Sequence, residues 1–213
     1  KFVLNNLKVL YYDMENRYRG EETYVVINTT GEPLSSTENI KPILLGRSSL
    51  SDLEIETYSD QWEDREEWFW QNRGKDNTAD NGLNEFFIWY WQIGLMQEKA
   101  WKDGKPISLN PRELFVNAPT KITENANEIK LSLDNYNKFC SLDNINKYFL
   151  ALKKLVNAIV DDSELRSVLL SMQVKKKDSN ISLSNTDSVW NWLRKCDLDI
   201  VLPLITLLAE HQG

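Results

Sequence analysis

The residues best suited to chemistry in this chain are Asn28-Thr29-Thr30-Gly31, a short polar turn set between an apolar run and a helix signal. Ahead of it, Tyr24-Val25-Val26-Ile27 is aromatic and β-branched, stiff at χ1 and suited to a buried strand. Asn tolerates left-handed backbone geometry and Gly adopts it without a Cβ clash, so the chain can turn sharply here and expose its N–H groups. Behind the turn, Leu34 is an apolar anchor and Ser35-Ser36-Thr37-Glu38 fits a capping box, which predicts a helix beginning near Ser36. Exposed amides beside a helix N-terminus favour an anion. Glu32 and Glu38 work against that by adding negative charge, and on residue physics alone N-x-x-G also describes a plain strand-to-helix turn.

The spacing Tyr24, Asn28, Gly31, Leu34 resembles the F-x-x-x-N-x-x-G-x-x-L motif of the GmrSD-type restriction endonuclease N-terminal domain family, which is ParB-like. Tyr24 stands where that family usually has Phe. Weaker similarity extends over the helix after the motif, the Trp-rich segment 62–91, the helix SLDNINKYFLALKKL and the tail DIVLPLITLL. The family's other signature, D-G-Q-Q-R, lies upstream of the motif and occurs nowhere in this chain, and residue 1 is Lys rather than Met. The chain therefore reads as an interior portion of a longer protein, inactive by itself, whose parent is an NTPase or endonuclease. The resemblance implies an NTP with a divalent metal ion in the intact parent, and a bacterial modification-dependent restriction or phage-defence role. By position it makes Asn28 the catalytic residue, orienting a phosphate, a metal-bound water or the partner loop. Thr29 and Thr30 would donate hydroxyl hydrogen bonds, and Gly31 would let the backbone come close. The implied partners are the upstream part of the same protein, modified DNA and an HNH-type nuclease domain. The alternative is a non-catalytic helical module that binds protein.

Composition narrows the field. A chain of 213 residues with 41% hydrophobic content can bury a sizeable core. A net charge of -7 argues against unaided nucleic-acid binding on a broad basic face. Cys140 and Cys196 are far apart and His211 is the single histidine, which nearly excludes a Cys/His zinc site and any His-assisted nucleophile. With neither a leader nor a long apolar run in the sequence, a cytoplasmic, membrane-free protein is expected.

The elements that must position the turn follow in order. Leu7 to Tyr12 and Tyr24 to Ile27 suggest an antiparallel pair, so the expected class is α+β, mostly helical, with a small β-hairpin or mixed sheet near the N-terminus. A helix should run from Ser36 to about Leu45. The acidic stretch 52–67 reads as a solvated face rather than a metal site, because its carboxylates scatter around a helix and its lead-in. Trp62, Arg65, Trp68-Phe69 and Asn72 have helical spacing, ended by Gly74. The segment 81–98 is apolar almost all round, which implies burial on several sides and core packing rather than base stacking. Residues 116–127 read as a loop, and 128–133 as a weak strand or helix lead-in. A motif-bearing part, 1–127, and a helical part, 128–213, are expected to pack as one domain. In the second part, Ser141 caps a strongly periodic helix through Val160 whose outer face bears Lys147, Lys153 and Lys154. Asp162-Ser163 starts another helix, Lys175 to Lys177 begins a polar loop, Thr186 or Asp187 caps a Trp-bearing helix, and 199–210 forms an apolar terminal helix containing Pro203.

Overall fold

The computed structural model describes residues 36–47, 50–75, 80–98, 111–116, 131–171, 188–194 and 196–211. The chain divides into two units, Lys1–Leu34 and Ser35–Gly213, and every described residue belongs to the second. Among the described residues the regular structure is helical throughout. In chain order the helices are α1 Ser36–Arg47, α2 Asp52–Gln71, α3 Asp80–Gln97, α4 Pro111–Val116, α5 Leu133–Phe139, α6 Leu142–Asp161, α7 Ser163–Ser171, α8 Val189–Leu193 and α9 Leu198–Glu210. No strand occurs among the described residues, so the expected α+β class with a small hairpin or mixed sheet is corrected to an all-helical one. The two segments assigned to the hairpin, 7–12 and 24–27, lie outside the described residues. Of the stretch 128–133 read as a weak strand or a helix lead-in, 128–130 lie outside the described residues and 131–133 lead into α5. Leu131 is buried, and the Ser132 hydroxyl accepts from the Asn135 N–H at 3.2 Å to start α5.

Two helices organise the packing. In α3, Leu83, Phe86, Phe87, Trp89, Tyr90, Trp91, Ile93 and Leu95 are all buried, so the helix is covered on every side. It packs against α1, α2, α4, α6 and α9. Helix α6 turns Ile145, Tyr148, Phe149, Leu152, Leu155, Val156 and Ile159 inward at steps of three and four, and is flanked by α2, α3, α5, α7, α8 and α9. Ser141 caps it as the sequence predicts, accepting from the Asn144 N–H at 3.4 Å. Ser141→Ala should cost about 1 kcal/mol, the usual loss for a removed N-cap side chain. An unchanged urea midpoint in that variant would show that packing alone holds the first turn of α6.

Helix α2 begins well before its apolar stripe. Ser51 and Glu54 form a reciprocal capping box: the Ser51 N–H donates to Glu54 Oε2 at 2.8 Å, and the Glu54 N–H donates to Ser51 Oγ at 3.4 Å. Residues 51–57 are all exposed, and Leu53 remains 72% accessible. Its far end is tied to α8. Gly74 there has φ of 61°, which an L side chain rarely adopts, and a Cβ on it would lie 3.1 Å from the Ser188 amide. Ser188 Oγ donates to the Asn72 carbonyl, and buried Asn191 donates through Nδ2 to the Arg73 carbonyl. Ser188, rather than Thr186 or Asp187, is the N-cap of α8, because its hydroxyl also accepts from the Asn191 N–H at 3.1 Å. At the chain's end Asp197 caps α9, so Pro203 falls inside the helix.

Candidate functional site

Asn28, Thr29, Thr30 and Gly31 lie outside the described residues, as does Ser35 of the expected capping box. What is described is the helix they lead into. Helix α1 starts at Ser36 and buries Thr37, Ile40 and Leu44, one side of its first three turns, while packing on α4, α3 and α2. Glu38 is exposed in its first turn.

The carboxylates of 52–67 do not converge. Asp52, Glu54, Glu56, Asp60, Glu63, Asp64 and Glu67 are exposed, and no group of three or more His, Cys, Asp or Glu among the described residues could hold a metal ion. The solvated acidic face expected from the sequence is what the helix presents. Cys140 and Cys196 are both free thiols, and burial pushes the Cys196 thiol up to about 11, which keeps it protonated and unreactive near neutrality. His211 is exposed at the C-terminal end of α9. On α6, Lys147 pairs with Glu210 at 3.2 Å, whereas Lys153 and Lys154 face solvent. Lys175 to Lys177 are outside the described residues.

The aromatic segment of α3 is core rather than a stacking platform. Trp91 lies edge-on to Phe115 at 5.3 Å, Trp89 to Trp190 at 5.0 Å, and Tyr90 to Tyr148 at 5.4 Å. Glu85 and Glu66 receive the indole N–H groups of Trp89 and Trp62 at 2.8 and 2.7 Å. The buried indole nitrogens of Trp91, Trp190 and Trp192 have no hydrogen-bond partner among the described residues.

One buried group stands apart. Arg65, on the inner stripe of α2 between Trp62 and Phe69, is 1% exposed. Its guanidinium carbon lies 5.2 Å from the centre of the Trp62 ring, and Nη1 donates to Asn146 Oδ1 on α6 at 3.5 Å, a long contact. Nε and Nη2 have no hydrogen-bond partner among the described residues. Burial pulls the guanidinium pKa down to about 10, with the charges of Glu66 and Asp64 acting in the opposite sense, so the group remains a cation at neutral pH. The sequence shows Arg65 as the lone base in an acidic run. Its place three residues after Trp62 and four before Phe69 is the signal that it faces inward.

Compared with known proteins, the chain matches no protein-family model, no curated protein and no solved structure. The described part is thus characterised by its own geometry: an all-helical unit with an aromatic core and one buried guanidinium. None of its described helices is long and apolar enough to cross a membrane.

Proposed function

We propose that the chain is part of an NTP-linked, DNA-targeting domain of a bacterial modification-dependent restriction or defence protein. The observation that carries this reading is the spacing Tyr24, Asn28, Gly31, Leu34, followed within two residues by the start of α1. In this reading a polar turn that exposes its backbone N–H groups holds a phosphate. In this reading Asn28 orients the phosphate through its carboxamide, Thr29 and Thr30 donate their hydroxyls, and Gly31 keeps the backbone free of a side chain. The upstream part of the protein completes the site, and an HNH-type nuclease domain acts on the modified DNA. An NTP brings a divalent metal ion with it, for which the described residues provide no ligand set.

A second reading, a non-catalytic helical module that binds protein, draws support from large apolar side chains left in solvent. Leu53 on α2 is 72% exposed and Leu207 on α9 is 56% exposed. The two readings part at Asn28. In the full-length parent, Asn28→Ala should lower NTP turnover about 10²–10³-fold, the loss typical of one misplaced charge-stabilising donor, with an unchanged thermal midpoint. Wild-type turnover in a folded variant would leave Asn28 a turn residue and favour the binding module. An in-frame D-G-Q-Q-R segment upstream supports the first reading, and its absence supports the second.

A further inference from the structure

We propose that the outer face of α9 is the contact through which two copies of this chain pair, with the two helices antiparallel. The pairing holds whether or not Asn28 takes part in nucleotide chemistry. The inner face of α9 buries Val201, Leu202, Ile205 and Ala209, and the helix packs on α6 and α3. Its outer face is apolar as well: Leu207 is 56% exposed, Pro203 is exposed, and Ile200 and Leu204 are half-buried. No residue from Ile200 to Ala209 carries a charge. A helix with one side in solvent ordinarily sets charged and polar groups there. The outer faces of α2 and α6 do so, with the acids of 52–67 on one and Lys153 and Lys154 on the other. Along the outer face of α9, Asp197, Ile200, Leu204, Leu207 and His211 follow one another at steps of three, four, three and four. That alternation is the seam of two paired helices, and it is separate from the inner stripe.

The charges at the ends of the seam select a second copy as the occupant. Asp197 stands at the N-terminal end. At the other end Lys147 of α6 pairs with Glu210 at 3.2 Å; Lys147 chiefly, and Lys138 of α5 in part, hold the Glu210 carboxyl below its usual range. Two ammonium groups around one carboxylate leave that end positive. Antiparallel pairing sets the negative end of each seam beside the positive end of the other and buries the uncharged middle, whereas parallel pairing brings like ends together. A two-fold axis near Leu204 makes the contact isologous, one patch facing its own copy. A helix lying on a lipid surface carries Lys and Arg along its polar border, and α9 has neither between Asp197 and Glu210. Two helix faces of this length make a contact below about 1,200 Å² in total, so the dimer is weak, with a Kd of about 10 μM to 1 mM.

Sedimentation velocity of the 213-residue chain over about 5 μM to 1 mM tests the pairing, because that span covers the expected Kd. Wild type should rise from monomer towards dimer mass across it. Leu207→Glu puts a charge into the apolar middle of the seam and should raise Kd at least about tenfold. Leu207 is exposed in the single chain, so this variant should keep its thermal midpoint at the lowest concentration. Asp197→Asn keeps a good N-cap and removes the charge. It should weaken an antiparallel pair about two- to fivefold, and it would tighten a parallel one. A wild type that stays monomeric throughout, a Leu207→Glu variant that pairs as tightly as wild type, or an Asp197→Asn variant that pairs as tightly or more tightly would each overturn the proposal. So would a monomer that binds vesicles of phosphatidylcholine and phosphatidylserine, which marks the face as lipid-binding. If Leu207→Glu does not fold, Asp197→Asn alone decides it.

Discussion

Trp190→Ala is expected to destabilise the helical unit by about 3–5 kcal/mol, the range for deleting a large buried ring. Trp190 is fully buried on the short helix α8, and its ring meets Trp89 at 5.0 Å, Phe69 at 5.3 Å and Trp68 at 6.3 Å. It therefore joins α8 to α2 and α3 through a single side chain. Domains are commonly stable by only about 5–15 kcal/mol, so the alanine variant should be largely unfolded at modest urea. Trp190→Phe should lose less, because a ring still fills most of the space and the unpartnered indole N–H goes with the substitution. Urea midpoints of the two variants check this. An alanine variant within about 1 kcal/mol of wild type would mean that the site collapses around the loss and that α8 is not held by this ring.

Gly94→Ala should also destabilise, against the trend of helix propensity. Gly94 lies in the last turns of α3, where alanine is favoured over glycine by about 0.8–1.0 kcal/mol. A Cβ at this position, however, would sit inside contact distance of the Phe139 ring, 2.6 Å from Cζ and 2.9 Å from Cδ1. Phe139 is itself buried against Tyr90 and Trp91, so the ring has little freedom to retreat. Overpacking of this kind costs about 1–3 kcal/mol, which outweighs the gain in propensity. The cause can be separated from a general intolerance of substitution by a double-mutant cycle. In a Phe139→Leu background, Gly94→Ala should cost less than in wild type. Equal costs in the two backgrounds would place the strain elsewhere.

Periodicity made some of this architecture legible and left other parts hidden. The stripe from Ile145 to Ile159 and the Ser141 cap predict α6, because one apolar face and a polar one leave a helix few choices. The all-round apolar character of 81–98 likewise predicts the burial of Trp89, Tyr90 and Trp91. The early start of α2 was not legible. Its first two turns have no buried face, and their only signals are Ser51 and Glu54, three residues apart in a run rich in acids. The Thr186 or Asp187 cap missed the start of α8 because Ser188 is selected by a contact distant in sequence, the Asn72 carbonyl. The α+β expectation rested on two β-branched and aromatic runs, and such short runs do not by themselves determine a sheet. For the candidate site, the spacing of Asn28 and Gly31 was readable and its surroundings were not. Arg65 shows the opposite case: its spacing from Trp62 and Phe69 puts it on the inner stripe, but its charge in an acidic run points to solvent, and only the packing of α2 shows that it is buried.

The edge-on approach of Trp89 and Trp190 gives the molecule an optical gauge of its own. Their ring centres are 5.0 Å apart and their planes 63° from parallel. Two indole chromophores at that separation and tilt couple their transitions and produce a circular dichroism couplet distinct from the signal of the helical backbone. That couplet depends on side-chain registry alone, so it should vanish first if heating or acid loosens the interior while the helices persist. One spectrum then separates melting of the core from melting of the chain.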